Sequence, residues 1–274
     1  MKFTPAAILL CFFTFLSYQS LAQRTHALSI GVGTLYYYGD LTDRFNNSLV
    51  RPAGSISYSK YLTRMFSFRV GVSYGEIGAQ DLTANDTGRR LRNLHFKSNI
   101  LEFSGVLVYE FIPDRNFGNE WVGKPHFSPF VFGGISMFHF NPKARYNNVW
   151  YALQPLGTEG QHIPGNPIGP YSLIQASVPF GAGVNLRLSE FAGVNFEIGY
   201  RITMTDYLDD VSTVYPDFGA LTESSGTLAV ELSERSDGNV FLAGEQRGFS
   251  GANDGYFFTM VSLVYYLNRF ASRD

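Results

Sequence analysis

The segment from Tyr171 to Asp210 constrains the fold of this chain more than any other, because apolar and polar residues alternate through it. A period of two predicts β-strands, and a short turn joins two of them here. The apolar face of the first strand holds Ile174, Ala176, Val178, Phe180, Ala182, Val184, Leu186 and Leu188. The apolar face of the second strand holds Val194, Phe196, Ile198, Tyr200, Ile202 and Met204.

The length of these strands separates a membrane protein from a soluble sheet. Each strand keeps its phase for about 15 residues, or roughly 50 Å at 3.3 Å per residue. Strands of soluble sheets usually end near about 5–6 residues, whereas a membrane-crossing strand needs about 9–11 and continues beyond the bilayer. The polar face consists of Gly, Ser and Asn with isolated Arg and Glu, which suits a narrow barrel lumen. The pattern therefore predicts transmembrane strands whose apolar face contacts lipid.

Composition agrees with this class and excludes others. The 274 residues carry 21 Lys and Arg against 23 Asp and Glu, which indicates neither a nucleic-acid surface nor a polybasic patch for membranes. Aromatic residues make up 16% of the chain, and outer-membrane barrels use such rings in two interfacial girdles. No linker divides the chain, so we expect one β domain.

Residues 1–22 are typical of a secretory signal peptide, which leaves residues 23–274 as the expected outer-membrane barrel domain. Lys2 provides the positive start, Ala6 to Leu16 the apolar core, and Ser20-Leu21-Ala22 the cleavage site. The single cysteine, Cys11, lies within this signal, so no disulfide is expected. No later apolar run reaches about 18 residues, which excludes a helical membrane span.

Eight strands are predicted along the chain, and the connections between them alternate between long and short. A bulge near Ile100 would explain why the apolar phase of the fourth strand changes there. Long loops outside and short turns in the periplasm are typical of outer-membrane barrels. The sequence therefore predicts an all-β fold, an eight-stranded antiparallel transmembrane β-barrel with long extracellular loops and short periplasmic turns. The predicted strands are Ala27–Tyr38, Ala53–Tyr61, Phe66–Gly75, Leu94–Ile112, Phe127–Phe140, the two strands described first, and Tyr256–Leu267.

Charged residues on the polar strand faces form the first candidate site. Buried charges have to be paired, and an eight-stranded barrel is just wide enough to be filled by side chains. We therefore expect an ion-paired plug in the lumen, in which Arg201 pairs with Glu197. The candidate lumenal charges are Arg69, Glu102, Arg187, Glu197 and Arg201.

An acidic cluster follows the seventh strand and is the second candidate site. Asp206, Asp209, Asp210 and Asp217 are predicted to belong to an extracellular loop. Loop structure or a solvated face, a partner contact, and a metal or catalytic site are the open interpretations. Catalysis would need a base such as His nearby, and no histidine shares a local motif with the cluster. The spacing matches no calcium loop, and no zinc, phosphate-binding or serine nucleophile motif is present, so no cofactor is predicted.

A third candidate lies in the connection after the fourth strand, which is predicted to be periplasmic. Phe117 and Trp121 stand there in a polar segment. Trp121 has two interpretations: an anchor at the membrane interface, or, together with Phe117, a docking surface for a protein.

Three stretches resemble a known family. They are TLYYYGDLTD (34–43), NPKARYNNVWYALQPLGTEGQ (141–161) and IGYRITMTDYLDDVSTVY (198–215). They are similar to the PorG-like outer-membrane β-barrel family, which is associated with the type IX secretion system. The resemblance implies a non-enzymatic component in the outer membrane of a Gram-negative bacterium, anchoring or assembling a secretion complex. Its implied partners are outer-membrane lipid and periplasmic proteins of that complex, and it implies no catalytic residue or cofactor.

Two alternatives stay open. A surface binding or adhesion barrel would use the long loops Asn141–Pro170 and Asp206–Asp254. A small barrel hydrolase would use carboxylates of the acidic cluster near a histidine. An assembly partner should instead contact the short turns, so the site of contact distinguishes the three.

Overall fold

The structure is a computed structural model that describes residues 26–42, 45–113, 124–238 and 241–267. The expected signal segment, Phe117 and Trp121 lie outside the described residues.

Eight of the ten described strands close into an antiparallel barrel. The strands are β1 (His26–Tyr38), β2 (Arg51–Tyr61), β3 (Phe66–Gln80), β4 (His95–Glu110), β5 (His126–His139), β6 (Pro142–Tyr146), β7 (Val149–Ala152), β8 (Ile174–Arg187), β9 (Ala192–Thr203) and β10 (Gly255–Leu267). The order of pairing is β3-β2-β1-β10-β9-β8-β5-β4, and β3 also pairs with β4. Strands β6 and β7 extend the sheet from β4 as a hairpin. This confirms the predicted eight-stranded antiparallel barrel.

Alternation places apolar side chains on the outside of the barrel. The exposed outer side chains include Ile30, Val32, Ile56, Val72, Phe103, Ile135, Phe180, Ile198 and Leu263. Small residues on the inner face allow strands to approach closely. A Cβ on Gly134, for example, would lie 2.1 Å from the carbonyl oxygen of Gly105 on the neighbouring strand. The apolar outer surface, which we call the outer belt, is therefore a consequence of the period-two pattern.

The predicted bulge near Ile100 is wrong. The register between β3 and β4 runs without interruption from the pair Phe66 and Tyr109 to the pair Gln80 and His95. The apolar phase changes because both faces of β4 are apolar in this region: Ile100 is buried inside the barrel and Leu101 is exposed outside.

Three predicted loops contain regular structure. The segment after the third strand, Gly78 to Arg92, continues β3 to Gln80 and then forms helix α1 (Thr87–Arg92). The segment Asn141–Pro170 contains the β6–β7 hairpin. The segment Asp206–Asp254 contains α2 (Phe218–Ser225) and α3 (Thr227–Ser233), and Asp217 caps α2 by accepting a hydrogen bond from the Ala220 amide. These elements are too short to produce a clear periodic signal.

The barrel interior is filled at both ends. A large apolar cluster extends from the end with the long loops, which we call the loop end, along the lumen as far as Val108 and Phe130. It includes Leu35, Tyr37, Ile77, Phe96, Ile100, Phe138, Phe140, Leu208, Val211 and Tyr256. Ala27, Val264 and Tyr266 form a smaller cluster at the opposite end, the turn end. A cavity of about 50 Å³ lies in the lumen and is lined by serines and by charged residues. Among the described residues, no helix has the length and apolar character needed to cross a membrane.

Candidate functional site

Two ion pairs cross the barrel lumen. The Arg201 guanidinium of β9 donates to both carboxylate oxygens of Glu102 on β4, at 2.7 and 2.8 Å. The Tyr256 hydroxyl donates to the same carboxylate at 2.7 Å. Arg69 of β3 donates to Glu197 of β9 at 2.8 Å. The lumen is therefore bridged by charge-assisted hydrogen bonds between distant strands.

Two expectations about the lumenal charges need correction. Arg201 pairs with Glu102 rather than with Glu197, because residues four apart on one strand are about 13 Å apart along it and the opposite wall is nearer. Arg187 does not join these pairs and instead lies at the turn end. Its guanidinium stacks on the Tyr266 ring at 4.2 Å and donates to the carbonyl of Glu190 at 3.0 Å.

The long connections fold together over the loop end into a compact unit, which we call the loop cap. It is built from residues 39–42, 45–50, 81–94, 140–173, 204–238 and 241–254. At its centre the buried Arg247 donates to Glu159 at 2.9 Å and to the Asp210 carbonyl at 2.6 Å. Glu159 also accepts from the Ser212 amide at 2.9 Å and from the Thr213 hydroxyl at 2.7 Å. The charges of both partners are thus fully engaged within the protein.

Asp210 lies beside this pair in a left-handed backbone conformation, with φ of 69°. Its carboxylate accepts hydrogen bonds from the Thr158 hydroxyl and from the Tyr171 hydroxyl, the latter at 2.6 Å. Burial raises the pKa of Asp210 to about 6, although the nearby Arg247 and the two hydroxyl donors lower it. Asp210 thereby connects the β5–β8 loop to the β9–β10 loop.

A second buried ion pair ties the β3–β4 loop into the loop cap. Arg92 of α1 donates to both oxygens of Asp81, at 2.8 Å each. It also donates to the carbonyl of Arg247, and to that of Asp40 at 3.2 Å. One guanidinium thus joins three connections of the barrel.

Tyr37 at the end of β1 bridges two carboxyl groups below the loop cap. Its hydroxyl oxygen lies 2.6 Å from Asp209 and 2.8 Å from Asp254. A phenol has one proton to donate, so the two carboxyl groups cannot both accept it. Burial raises the pKa of Asp209 well above its usual range, and repulsion from Asp254 adds to this. Burial likewise raises the pKa of Asp254, so this pair retains a proton more readily than exposed carboxylates do.

The acidic cluster is divided: Asp209 and Asp210 are buried, whereas Asp217 is exposed. Asp209 and Asp210 are only 2% and 0% exposed, and both accept hydrogen bonds from protein groups. Asp206 is half-buried, and burial raises its pKa to about 7. In the described parts of the chain, no group of three or more His, Cys, Asp or Glu is arranged to hold a metal. The hydrogen bonds of Asp209 and Asp210 fix the loops of the cap.

The three stretches that carry the family resemblance meet in this region. Tyr37 belongs to the first stretch, Glu159 to the second, and Asp209 and Asp210 to the third. Their contacts have no local signal in the sequence, because Tyr37 and Asp209 are 172 residues apart and Glu159 and Arg247 are 88 apart. The missed partners Arg92, Arg247 and Asp254 lie in predicted loops without a motif. The available signal was that Tyr37, Glu159, Asp209 and Asp210 all lie in the three stretches that resemble a known family.

The fold and the buried pairs define a closed eight-stranded antiparallel barrel with a folded loop cap. The family model described as a domain of unknown function, DUF6089, matches residues 6–154. The chain belongs to this family. No curated protein matches the sequence.

Solved structures similar to this chain include three outer-membrane or surface proteins. One is Ail, the attachment invasion locus protein of Yersinia pestis, which was crystallised with a heparin analogue. Its sequence is 8% identical to this chain, the match covers 90% of this chain and 100% of Ail, and the TM-score is 0.42. Neisserial surface protein A is 7% identical, with 90% and 100% covered and a TM-score of 0.43. The outer membrane protein OprG from Pseudomonas aeruginosa is 10% identical, with 90% and 98% covered and a TM-score of 0.43.

Proposed function

We propose that this protein is a non-enzymatic barrel of the bacterial outer membrane that anchors a protein assembly of the envelope. The observation that carries the proposal is a barrel with an apolar outside, a filled inside and a loop cap fixed by buried ion pairs. Exposed apolar side chains around a closed sheet fit a lipid environment, since a barrel pairs all its backbone groups internally.

The filled interior favours anchoring over transport. Apolar clusters and the ion pairs of Arg201 and Arg69 together fill much of the lumen. A cavity of about 50 Å³ has room for a few water molecules. A rigid barrel of this kind is suited to hold a partner in place at the membrane.

We assign the assembly to type IX protein secretion on the basis of the resemblance described above, with periplasmic proteins of the secretion complex as partners. The contacts of the three resembling stretches support the assignment because they form one structural unit. The turn end carries exposed apolar side chains that offer a contact surface: Leu62, Phe111, Ile112, Leu188 and Phe191. Phe117 and Trp121 remain predicted docking residues of the same end.

Site-specific photocrosslinking in cells tests this proposal. A crosslinker at Thr63 or Ile112 should capture a periplasmic protein, whereas one at Leu242 on the loop cap should not. The double variant Phe117→Ala/Trp121→Ala should fold, lose the captured partner and reduce secretion, because truncating buried aromatic anchors commonly costs about 2 kcal/mol or more. Crosslinks from Leu242 alone, together with normal secretion in the double variant, would contradict the assembly function.

One observation favours surface binding as a second candidate function. A groove of about 360 Å³ on the loop cap is lined by Asp40, Arg89, Gln246 and Phe249, among others, and Phe249 is exposed. Aromatic and polar groups around a concave surface are typical of ligand sites. Crosslinks from Leu242 to a host or neighbouring-cell component would select this function.

A further inference from the structure

The sheet continues beyond the closed barrel where the β6–β7 hairpin pairs with the loop end of β4. Lys97 of β4 lies opposite Lys143 of β6, and Arg145 of β6 lies opposite Trp150 of β7. Directly opposed residues of antiparallel strands share one face of a sheet. These four residues therefore form one surface, which we call the basic hairpin face.

The basic hairpin face is continuous with the outer belt. Phe103 and Leu101 of β4 point outward in the belt, and Lys97 lies on the same face of the strand, four residues before Leu101. Lys97 and Leu101 are about 13 Å apart along the strand. The other face of β6 packs inward, where Ala144 is buried with Leu232 of α3. The hairpin is thus held with its charges outward, just beyond the apolar surface.

The contacts of this face fix its shape. The Arg145 amide donates to Nε2 of His95 at 3.1 Å, which attaches the hairpin to β4. The His95 ring meets the Trp150 ring edge-on, with centroids 6.1 Å apart. Lys97 Nζ lies 4.1 Å from the centroid of the Trp150 ring. This cation–π contact orients the ammonium group but leaves its positive charge uncompensated.

The positive charge of the basic hairpin face indicates a binding site for an anion. In the described ranges, none of the ion pairs includes Lys97, Lys143 or Arg145. Like charges directly opposite one another destabilise a sheet, and Lys97 and Lys143 occupy such a position. An anion placed between these side chains would remove that repulsion.

The position of the face indicates which anion it binds. Tryptophan is enriched at membrane–water interfaces, and lysine and arginine at that level attract anionic lipid headgroups. Arginine also matches phosphate with two parallel hydrogen bonds. We propose that the basic hairpin face binds the phosphate groups of a lipid headgroup in the leaflet at the loop end of the barrel, which rests on the membrane location proposed above.

Lipid binding by the purified, detergent-solubilised full chain tests the proposal. Phosphorylated lipid A and its dephosphorylated form serve as probes, and retention is measured by native mass spectrometry. The wild-type protein should prefer the phosphorylated form, and Lys143→Gln/Arg145→Gln should bind it about 30-fold more weakly. The matched control Lys60→Gln/Arg64→Gln removes two cations near the turn end and should keep the preference. Equal retention of both lipids, or unchanged binding by the hairpin variant, would overturn the proposal.

Inorganic phosphate separates a lipid headgroup from a soluble anion. If it displaces lipid A at equal concentration, the face is a site for free anions and the lipid proposal is wrong.

Tryptophan fluorescence distinguishes this proposal from the membrane location itself. The chain has two tryptophans, so Trp121→Phe leaves Trp150 as the only reporter. In vesicles, lipids brominated near the headgroup should quench Trp150 more strongly than lipids brominated deep in the acyl chains. If the Trp121→Phe variant inserts and shows heat-dependent gel mobility but the fluorescence of Trp150 is not quenched, the lipid site alone is wrong. Failure to insert would overturn the membrane location as well.

Discussion

Arg247 and Glu159 form a fully buried ion pair at 2.9 Å, which joins the β9–β10 loop to the β5–β8 loop. Removing one member of a buried pair leaves an uncompensated charge and typically costs about 3–5 kcal/mol. We therefore expect the pair to stabilise the loop cap, while the barrel below is held by its own strand pairing.

Arg247→Met should open the loop cap and leave the barrel closed. Hydrogen exchange of residues 204–215 should become faster, whereas heat-dependent gel mobility should be retained. The double variant Glu159→Gln/Arg247→Met should restore part of the protection, because it removes the buried charge as well. Equal exchange in the wild type and the single variant would show that the pair does not hold the cap.

Arg201→Leu should destabilise the barrel itself. The change strands the Glu102 carboxylate, which is buried between β4 and β9, and should cost about 3–5 kcal/mol. Thermal unfolding in detergent measures the effect. Glu102→Gln/Arg201→Leu is the control and should be more stable than the single variant. Unchanged thermal stability of Arg201→Leu would mean that this guanidinium faces water.

The loop cap should be more stable in mild acid than in mild alkali. The pKa values of Asp209 and Asp254 are raised, so the folded cap binds more protons than the unfolded chain above the ordinary aspartate pKa. Stability then falls as pH rises through this window. Hydrogen exchange at about pH 5 and about pH 8, corrected for intrinsic rates, tests the direction.

Asp209→Asn should reduce this pH dependence, because it removes one of the two carboxyl groups around Tyr37. Asp217→Asn is the matched control, since Asp217 is exposed and asparagine also caps helices. A cap that gains protection on going to alkali would contradict the raised pKa values of Asp209 and Asp254.

Ile135→Arg should impair insertion of the barrel into vesicles. Ile135 is 75% exposed on the outer belt, and an arginine on the lipid face costs about 2–4 kcal/mol near the bilayer midplane. Leu242→Arg is the control, because Leu242 is 66% exposed on the loop cap. Folded yield is read from the change in gel mobility on heating. Equal yields for the two variants would place Ile135 in water.

The barrel was predictable from sequence because strand alternation is a local property. Outward Ile198 and inward Arg201 follow directly from the period of two, and each strand repeats the same information. The loop cap was not predictable, because its pairs join residues such as Tyr37 and Asp254 that are 217 apart. The β6–β7 hairpin had a local signal in Asn147 and Asn148, which adopt the positive φ values of a tight hairpin turn.

The pairing of the first and last strands sets a limit on how fast this chain acquires its structure. β1 and β10 are matched from His26 and Leu267 to Tyr38 and Gly255. Closing so long a loop loses chain entropy before the contacts form, and such non-local pairing slows folding. The Tyr37 bridge to Asp254 depends on the same closure. Until the last strand is in place, the edges of β1 and β9 stay open to pairing with wrong strands, so the partly folded chain is prone to aggregate through them.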